Sequence, residues 1–277
     1  MSFLRPLLCL LLAGLVTLSA QEKGKWVTGK AAVFGTNFAA METEAVKRAR
    51  ADALNQAGIV VSASSYRVQT EDNKDLSDYY SAFTEASSRG IITEERNVRI
   101  SDPVRVTKSA AKGERLFQVE AQLEAFVVVP DGAADPGFSL SVRTKRTTYR
   151  ESEPVLFDIV ASRDCRLTII NVKSDTIQVL FPNGLTRDNR LGAKQKFLFP
   201  EGFDLYLTVD GDAKSSTEEF ILVVTKDDVP VAEVKNATFS GDELVLPKLT
   251  LTDLSRWLAK IPLDRRTMDH IVLSVVK

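Results

Sequence analysis

Residues 116–129 read Leu-Phe-Gln-Val-Glu-Ala-Gln-Leu-Glu-Ala-Phe-Val-Val-Val, and their alternation decides the fold of the first half of the chain. Phe117, Val119, Ala121, Leu123, Ala125 and Val127 take every second position, and Gln118, Glu120, Gln122 and Glu124 fill the gaps. Successive side chains on a strand point to opposite faces, so this strand has one buried and one wet face. A strand wet on one side belongs to an antiparallel sheet whose helices cover the other. The first half is therefore expected to be α+β.

Its neighbours fit that scheme. Over residues 38–57, Ala45, Ala49, Ala53 and Ala57 recur at i+4 beside Val46 and Leu54, which predicts a helix with a small-residue stripe that sits close on a sheet. Its charges run acidic first and basic later, as the helix dipole prefers, and Gly58 supplies the C-terminal stop. Strands are expected over 26–34, 59–68 and 90–100, and a weaker helix over 76–87. Residues 130–137, Pro-Asp-Gly-Ala-Ala-Asp-Pro-Gly, carry turn signals and nothing to bury, so they read as a linker open to proteases.

The second half changes rhythm. Short β-prone runs at 138–143, 155–161, 167–172, 177–181, 195–199, 205–209 and 220–224 are separated by turns such as Phe181-Pro182-Asn183-Gly184. That spacing predicts a mainly-β, sandwich-like domain over 138–277. A short helix is expected over 253–260 after a possible N-cap at Thr252, with Leu254, Trp257 and Leu258 on its buried side, and a last strand over 271–276.

Residues 1–20 read as a secretory signal peptide: Arg5, an apolar run over 7–18, and Leu18-Ser19-Ala20 as the cleavage site before Gln21. The alternative is an uncleaved N-terminal anchor. Cys9 lies inside the apolar run without small residues before it, which argues against lipidation. The domains expected are then 21–129, the linker 130–137, and 138–277, with no membrane span after cleavage and a periplasmic or secreted location.

Composition limits the chemistry. The chain has 277 residues, 36 Lys+Arg against 37 Asp+Glu, and a net charge of −1, so nothing favours bulk nucleic-acid binding. Of two cysteines, Cys9 leaves with the signal and Cys165 stays, which excludes an intramolecular disulfide. Cys165 opens an apolar run and reads as a buried structural thiol. Cys165 and His270 are too few for a structural zinc site, so no metal and no cofactor is expected. Any Ser-His-Asp or Cys-His site would need His270, whose neighbour Asp269 should point to the other face of its strand. No nucleophile elbow or phosphate loop occurs. A pair of carboxylates distant in sequence stays open as an active site. Asn236-Ala237-Thr238 fits a glycosylation sequon.

The sharpest local feature is Phe181-Pro182-Asn183, continued by Arg187, Asp188, Asn189 and Arg190. Every residue of the first triplet has a turn role, and the alternative is a loop for a partner or ligand.

These residues also carry a resemblance. Tyr149-Arg150-Glu151-Ser152-Glu153-Pro154-Val155-Leu156-Phe157, the strand Leu167-Thr168-Ile169-Ile170-Asn171, and Val179-Leu180-Phe181-Pro182-Asn183 follow one another. After them come Asp188-Asn189-Arg190-Leu191, Phe199-Pro200 and Asp204-Leu205-Tyr206-Leu207-Thr208-Val209. Residues 138–228 thereby resemble a bacterial envelope module known as domain of unknown function forty-three eighty-four, in which the Leu-Phe-Pro-Asn box is the most specific element. Ser152 and Lys194 depart from it, standing where such modules usually carry a turn glycine. The first half looks like the N-terminal domain of flagellar assembly protein T and related envelope lipoproteins. Its residues in common are the helix at 45–56, the strand at 58–62, Ser88-Arg89-Gly90-Ile91 and the alternating strand at 117–127.

Both resemblances imply a bacterial envelope; that of the first half implies an interaction or assembly module without catalysis, and that of the second implies architecture and habitat, its family having no established activity. The function expected is a non-enzymatic accessory protein that docks envelope proteins as an assembly or stabilising factor. The alternative is a ligand- or glycan-binding module, attached or not to a hydrolase site. An exposed aromatic row on the sandwich would favour binding of glycans, and an apolar patch or open sheet edge would favour docking.

Overall fold

A computed structural model describes residues 24–59, 89–106, 116–173, 176–183, 186–209, 211–231, 238–240, 243–246 and 248–277. The signal peptide expected over 1–20, with Ala20, most of the strand expected over 59–68, the helix expected over 76–87, Gly184 and the first two sequon residues lie outside them.

In the first half, β1 (Gly24–Gly35), β2 (Ile91–Ile100), β3 (Val104–Val106) and β4 (Leu116–Val128) form an antiparallel sheet, with β4 between β1 and β2. The alternation read from the sequence holds, for Val119, Leu123 and Ala125 face inward and are fully buried. Helix α1 (Phe38–Gln56) covers that inner face through Ala45, Ala49 and Ala53. The approach is so close that a Cβ on Gly29 of β1 would collide with the Ala49 carbonyl. The expected match of side-chain charge to helix dipole is missing: no acid sits in the first turn and no base in the last. Caps take its place, with Asn37 accepting from the Ala40 amide at 3.3 Å and Gly58 adopting φ of +89° past the end.

The second half is built on a sheet of seven strands among the described residues. These are β17 (Lys248–Leu249), β10 (Thr176–Phe181), β9 (Cys165–Lys173), β14 (Ser215–Thr225), β18 (Arg266–Val276) and β6 (Thr148–Arg150) in that order, with β11 (Arg190–Leu191) also on β9. All pairs are antiparallel except β18 with β6. A smaller layer of β5 (Leu140–Arg143), β8 (Phe157–Ala161) and β12 (Lys196–Phe199), with the pair β7 (Pro154–Val155) and β13 (Leu205–Tyr206), faces it, and β15 (Thr238–Ser240) pairs with β16 (Glu243–Val245) in a separate hairpin. Phe157, Phe181, Phe199 and Phe220 fill the space between the layers, with ring centroids 4.9–6.3 Å apart for the contacting pairs.

The other face of the large sheet is buried too. Ile170, Val172, Val179, Ile221 and Val223 lie under α2 (Leu251–Ala259), whose Leu254, Trp257 and Leu258 point down. Burial on both faces is why β9 and β14 read as continuous apolar runs. The helix begins earlier than the sequence suggested. Thr250 is the N-cap, because Asp253 then falls at the third helical position and the two side chains cap each other's backbone. At the other end, buried Arg266 donates to the Leu258 carbonyl at 2.9 Å.

Two polar features tie the edges. Glu218, almost buried, accepts from Asn171 Nδ2 at 3.0 Å and pairs with Lys173 Nζ at 3.3 Å, and Lys173 also donates to the Thr208 carbonyl and hydroxyl at 2.6 Å. Residues 130–137 differ from the expected free linker. Pro130 is buried, the Asp131 carbonyl accepts from Leu263 N at 2.8 Å, and Asp135 pairs with Lys226 at 2.7 Å and Arg163 at 3.4 Å. The Lys226 hydrogen bond, followed by that from Gly137, holds the Asp135 carboxyl below its usual range. The segment is laid along the second half by charge, which its turn-rich composition concealed. The halves also meet directly: Ile91 of β2 is buried in the cluster beneath α2, and Arg256 of α2 lies 3.8 Å from Glu94.

Ser152 and Lys194, the two departures from glycine, adopt φ of +66° and +59°. L-residues are strained there by about 1–2 kcal/mol, partly offset by the larger unfolded-state entropy of glycine. Ser152→Gly and Lys194→Gly are each expected to raise stability by roughly 0.5–1 kcal/mol, read from urea midpoints. A lower midpoint in both variants would contradict the strain.

Candidate functional site

Strands β10 and β11 both pair with β9, and the chain between them must loop out over the helix-side face of the sheet. Phe181 ends β10 buried between Phe197 and Phe199, both at 5.6 Å, so it anchors the loop from inside. A cis Phe181-Pro182 bond follows. Asn183, 6% exposed, then donates from Nδ2 to the Leu180 carbonyl at 2.7 Å and accepts from Thr186 N at 2.9 Å. Its own amide donates to the Thr186 carbonyl at 3.0 Å. The asparagine side chain thus stands in for backbone partners that a turn lacks.

The loop returns through Asn189, whose carbonyl accepts from Leu167 N at 2.8 Å and whose Nδ2 donates to the Leu167 carbonyl at 3.1 Å. Asn189 Oδ1 accepts from Arg166 Nη1 at 3.4 Å, and Arg166 Nη2 stands 3.6 Å from Asp228. Between this loop and the segment after β14 lies a pocket of about 300 Å³. Thr168 and Val179 belong to the sheet beneath it, Pro182, Asn183, Arg187 and Asn189 line it from the loop, and Asp228 to Val231 line it from the opposite side. Trp257 fixes that second wall by donating to the Val229 carbonyl at 3.1 Å.

Of the residues singled out in the sequence, Pro182, Asn183, Arg187 and Asn189 line the pocket. Phe181 lies in the core, and Asp188 and Arg190 pair with each other at 2.6 Å on the exposed outside. Arg166, Thr168, Asp228 and Val229 to Val231 were not foreseen, because only strand pairing brings them beside the loop.

The Arg190 side chain, helped by its amide, pulls the Asp188 carboxyl down to about 2. A depressed carboxylate keeps its pairing above its ordinary range and loses it as pH falls through about 2. An NMR titration should place the Asp188 midpoint there, and Arg190→Gln should return it toward about 3.9. A wild-type midpoint already near that ordinary value would disprove the pairing in solution.

Residues 148–228 match a family model described as Domain of unknown function (DUF4384). That is less than a third of the chain, and the C-terminal half carries this module. No curated protein matches the chain. The DUF4384 match spans the loop and Arg166, Thr168 and Asp228, while α2, β17 and β18, which complete its sheet and cover it, lie beyond the match.

Elsewhere, Asp269 spends its carboxylate on the backbone, accepting from His270 N at 2.9 Å and Val142 N at 3.2 Å. Cys165 is buried, and burial followed by the Asp164 charge pushes its thiol up to about 11, unsuited to a nucleophile. No helix among the described residues is long and apolar enough to cross a membrane.

Proposed function

We propose that the protein is an exported, non-catalytic accessory factor of the bacterial cell envelope that works by docking other proteins, in assembly or stabilisation. The observation that carries this reading is the outer face of the first sheet. Trp26, Phe34 and Val104 stand 39%, 53% and 63% exposed, and β1 pairs with β4 alone among the described residues. In register, Phe34 and Val104 flank Gln118 at one end of the face, while Trp26 meets Phe126 at the other, 5.4 Å between ring centroids. Apolar side chains beside an open sheet edge suit protein contact. Among the described residues of the sandwich the exposed large hydrophobics are Leu156, Leu198 and Tyr206, a single aromatic rather than a row for stacking sugars. The division at residues 130–137, the signal peptide and the likeness of the first half to envelope assembly domains belong to the same proposal. Because the halves meet at Ile91, the two would present their surfaces as one body.

The test uses a photo-activatable residue at position 34 in intact cells, with position 206 as control. A discrete protein adduct from position 34 is expected, and Trp26→Ser with Phe34→Ser should remove both adduct and cellular role. His270→Gln should leave that role intact. Loss of function from His270→Gln in a folded protein would overturn the non-enzymatic reading.

A further inference from the structure

The pocket beside the Phe-Pro-Asn loop holds a combination of groups that the packing of the sheet does not require. Thr168 is 6% exposed, yet its hydroxyl meets no hydrogen-bond partner among the described residues, and it lines the pocket. The hydroxyl is open to the pocket rather than sealed from it, so a bound ligand can exchange a hydrogen bond with it there. Arg187, exposed on the loop, makes no ion pair among the described residues. Arg166 is held only loosely, by contacts of 3.4 and 3.6 Å. Val179, Pro182, Val229, Pro230 and Val231 give the same pocket an apolar surface.

Charge selects the ligand further. Arg166 and Arg187 line the pocket with Asp228, which leaves one positive charge in excess, while Asp188 and Arg190 cancel each other outside it. One excess charge suits a monoanion and would hold a phosphate dianion poorly beside Asp228. A volume of about 300 Å³ admits a terminal residue or two of a chain. We propose that this pocket captures the C-terminal carboxylate of a partner peptide that ends in a branched apolar residue. The carboxylate lies between Arg187, Arg166 and the Thr168 hydroxyl, the last side chain packs on Val179, Pro182 and Val231, and the preceding chain leaves over the exposed loop. Capture of a terminal carboxylate by a few fixed donors is an established mode of peptide recognition.

This inference deepens the docking reading by naming the chemistry of one docked segment, and it is tested apart from the first sheet. The full chain is titrated with N-acetyl-Gly-Ser-Gly-Val-Val carrying a free carboxylate and with the same peptide as its C-terminal amide, and binding is followed by calorimetry. The free acid should bind, and the amide should bind at least about tenfold more weakly, the loss expected when a charge-assisted hydrogen bond is removed. Arg187→Gln and Thr168→Val, one exposed and one nearly isosteric, should each weaken the acid by a similar factor without moving the thermal midpoint by more than a few degrees. Equal binding of acid and amide, binding of neither, or affinity untouched by both variants overturns the proposal. So does tighter binding of free valine or inorganic phosphate than of the peptide acid. None of these outcomes bears on cross-linking through position 34, so the two readings fail separately.

Discussion

Lys173→Met is expected to destabilise the second half by about 3–5 kcal/mol. The Glu218 side chain is 8% exposed, and its charge is balanced by Lys173 Nζ at 3.3 Å. Methionine fills the lysine stem's volume but leaves that carboxylate in low dielectric with only Asn171 Nδ2 at 3.0 Å and the Thr208 amide at 3.5 Å. The same change removes both bonds that hold residue 208 to the end of β9. Removing the charge as well should restore much of the loss, since a buried ion pair replaced as a unit by apolar groups is often neutral. Urea unfolding of Lys173→Met and of Lys173→Met with Glu218→Leu makes the comparison. A single variant within about 1 kcal/mol of the parent would show that the pair is solvated, and the argument from burial would fall.

Trp257→Ala should cost a similar amount, about 3–5 kcal/mol, by leaving a cavity between α2 and the sheet. Trp257 is 3% exposed and shares its cluster with Ile91, Val179, Ile221 and Val231. Its indole also holds the Val229 carbonyl, so the far wall of the pocket should loosen before the sheet does. Trp257→Phe separates the two effects, keeping most of the packing while losing the hydrogen bond. Hydrogen exchange should then show early opening at residues 229–231 in the phenylalanine variant, and in the alanine variant also at Ile91 of β2. Unchanged protection at Ile91 would mean that the contact between the halves does not persist in solution.

Much of the architecture was legible in the residues, and the reasons are local. Alternation over Val119 to Val127, the alanine stripe of α1 and the glycine past its end each depend on a period or a cap that a short window contains. The short β-prone runs of the second half pointed to a mainly-β domain, but the burial of its large sheet on both faces was not read from them. The pocket was half legible. Pro182 and Asn183 are conspicuous as turn residues, whereas Thr168 is disguised, because a threonine in Leu-Thr-Ile-Ile looks like any β-branched strand residue. Only the pairing of β9 with β10, β11 and β14 carries it beneath the loop. Asp135 misled for the same reason. Its turn propensity is visible in sequence, and its partner Lys226 lies 91 positions away.

The order of strands in the large sheet sets a timetable for the chain as it is made. β18 lies between β14 and β6, yet every other strand of that sheet precedes it. Until it emerges, β14 has a bare edge, β6 has no partner in the sheet, and Phe220 and Leu222 have lost their flank. A chain released residue by residue therefore cannot close its second core early, however much of it is already outside the ribosome. Under the proposed export, that delay would keep the second half unfolded while the chain is threaded through a pore. A chain that stopped short of β18 would present the bare edge of β14 to other strands.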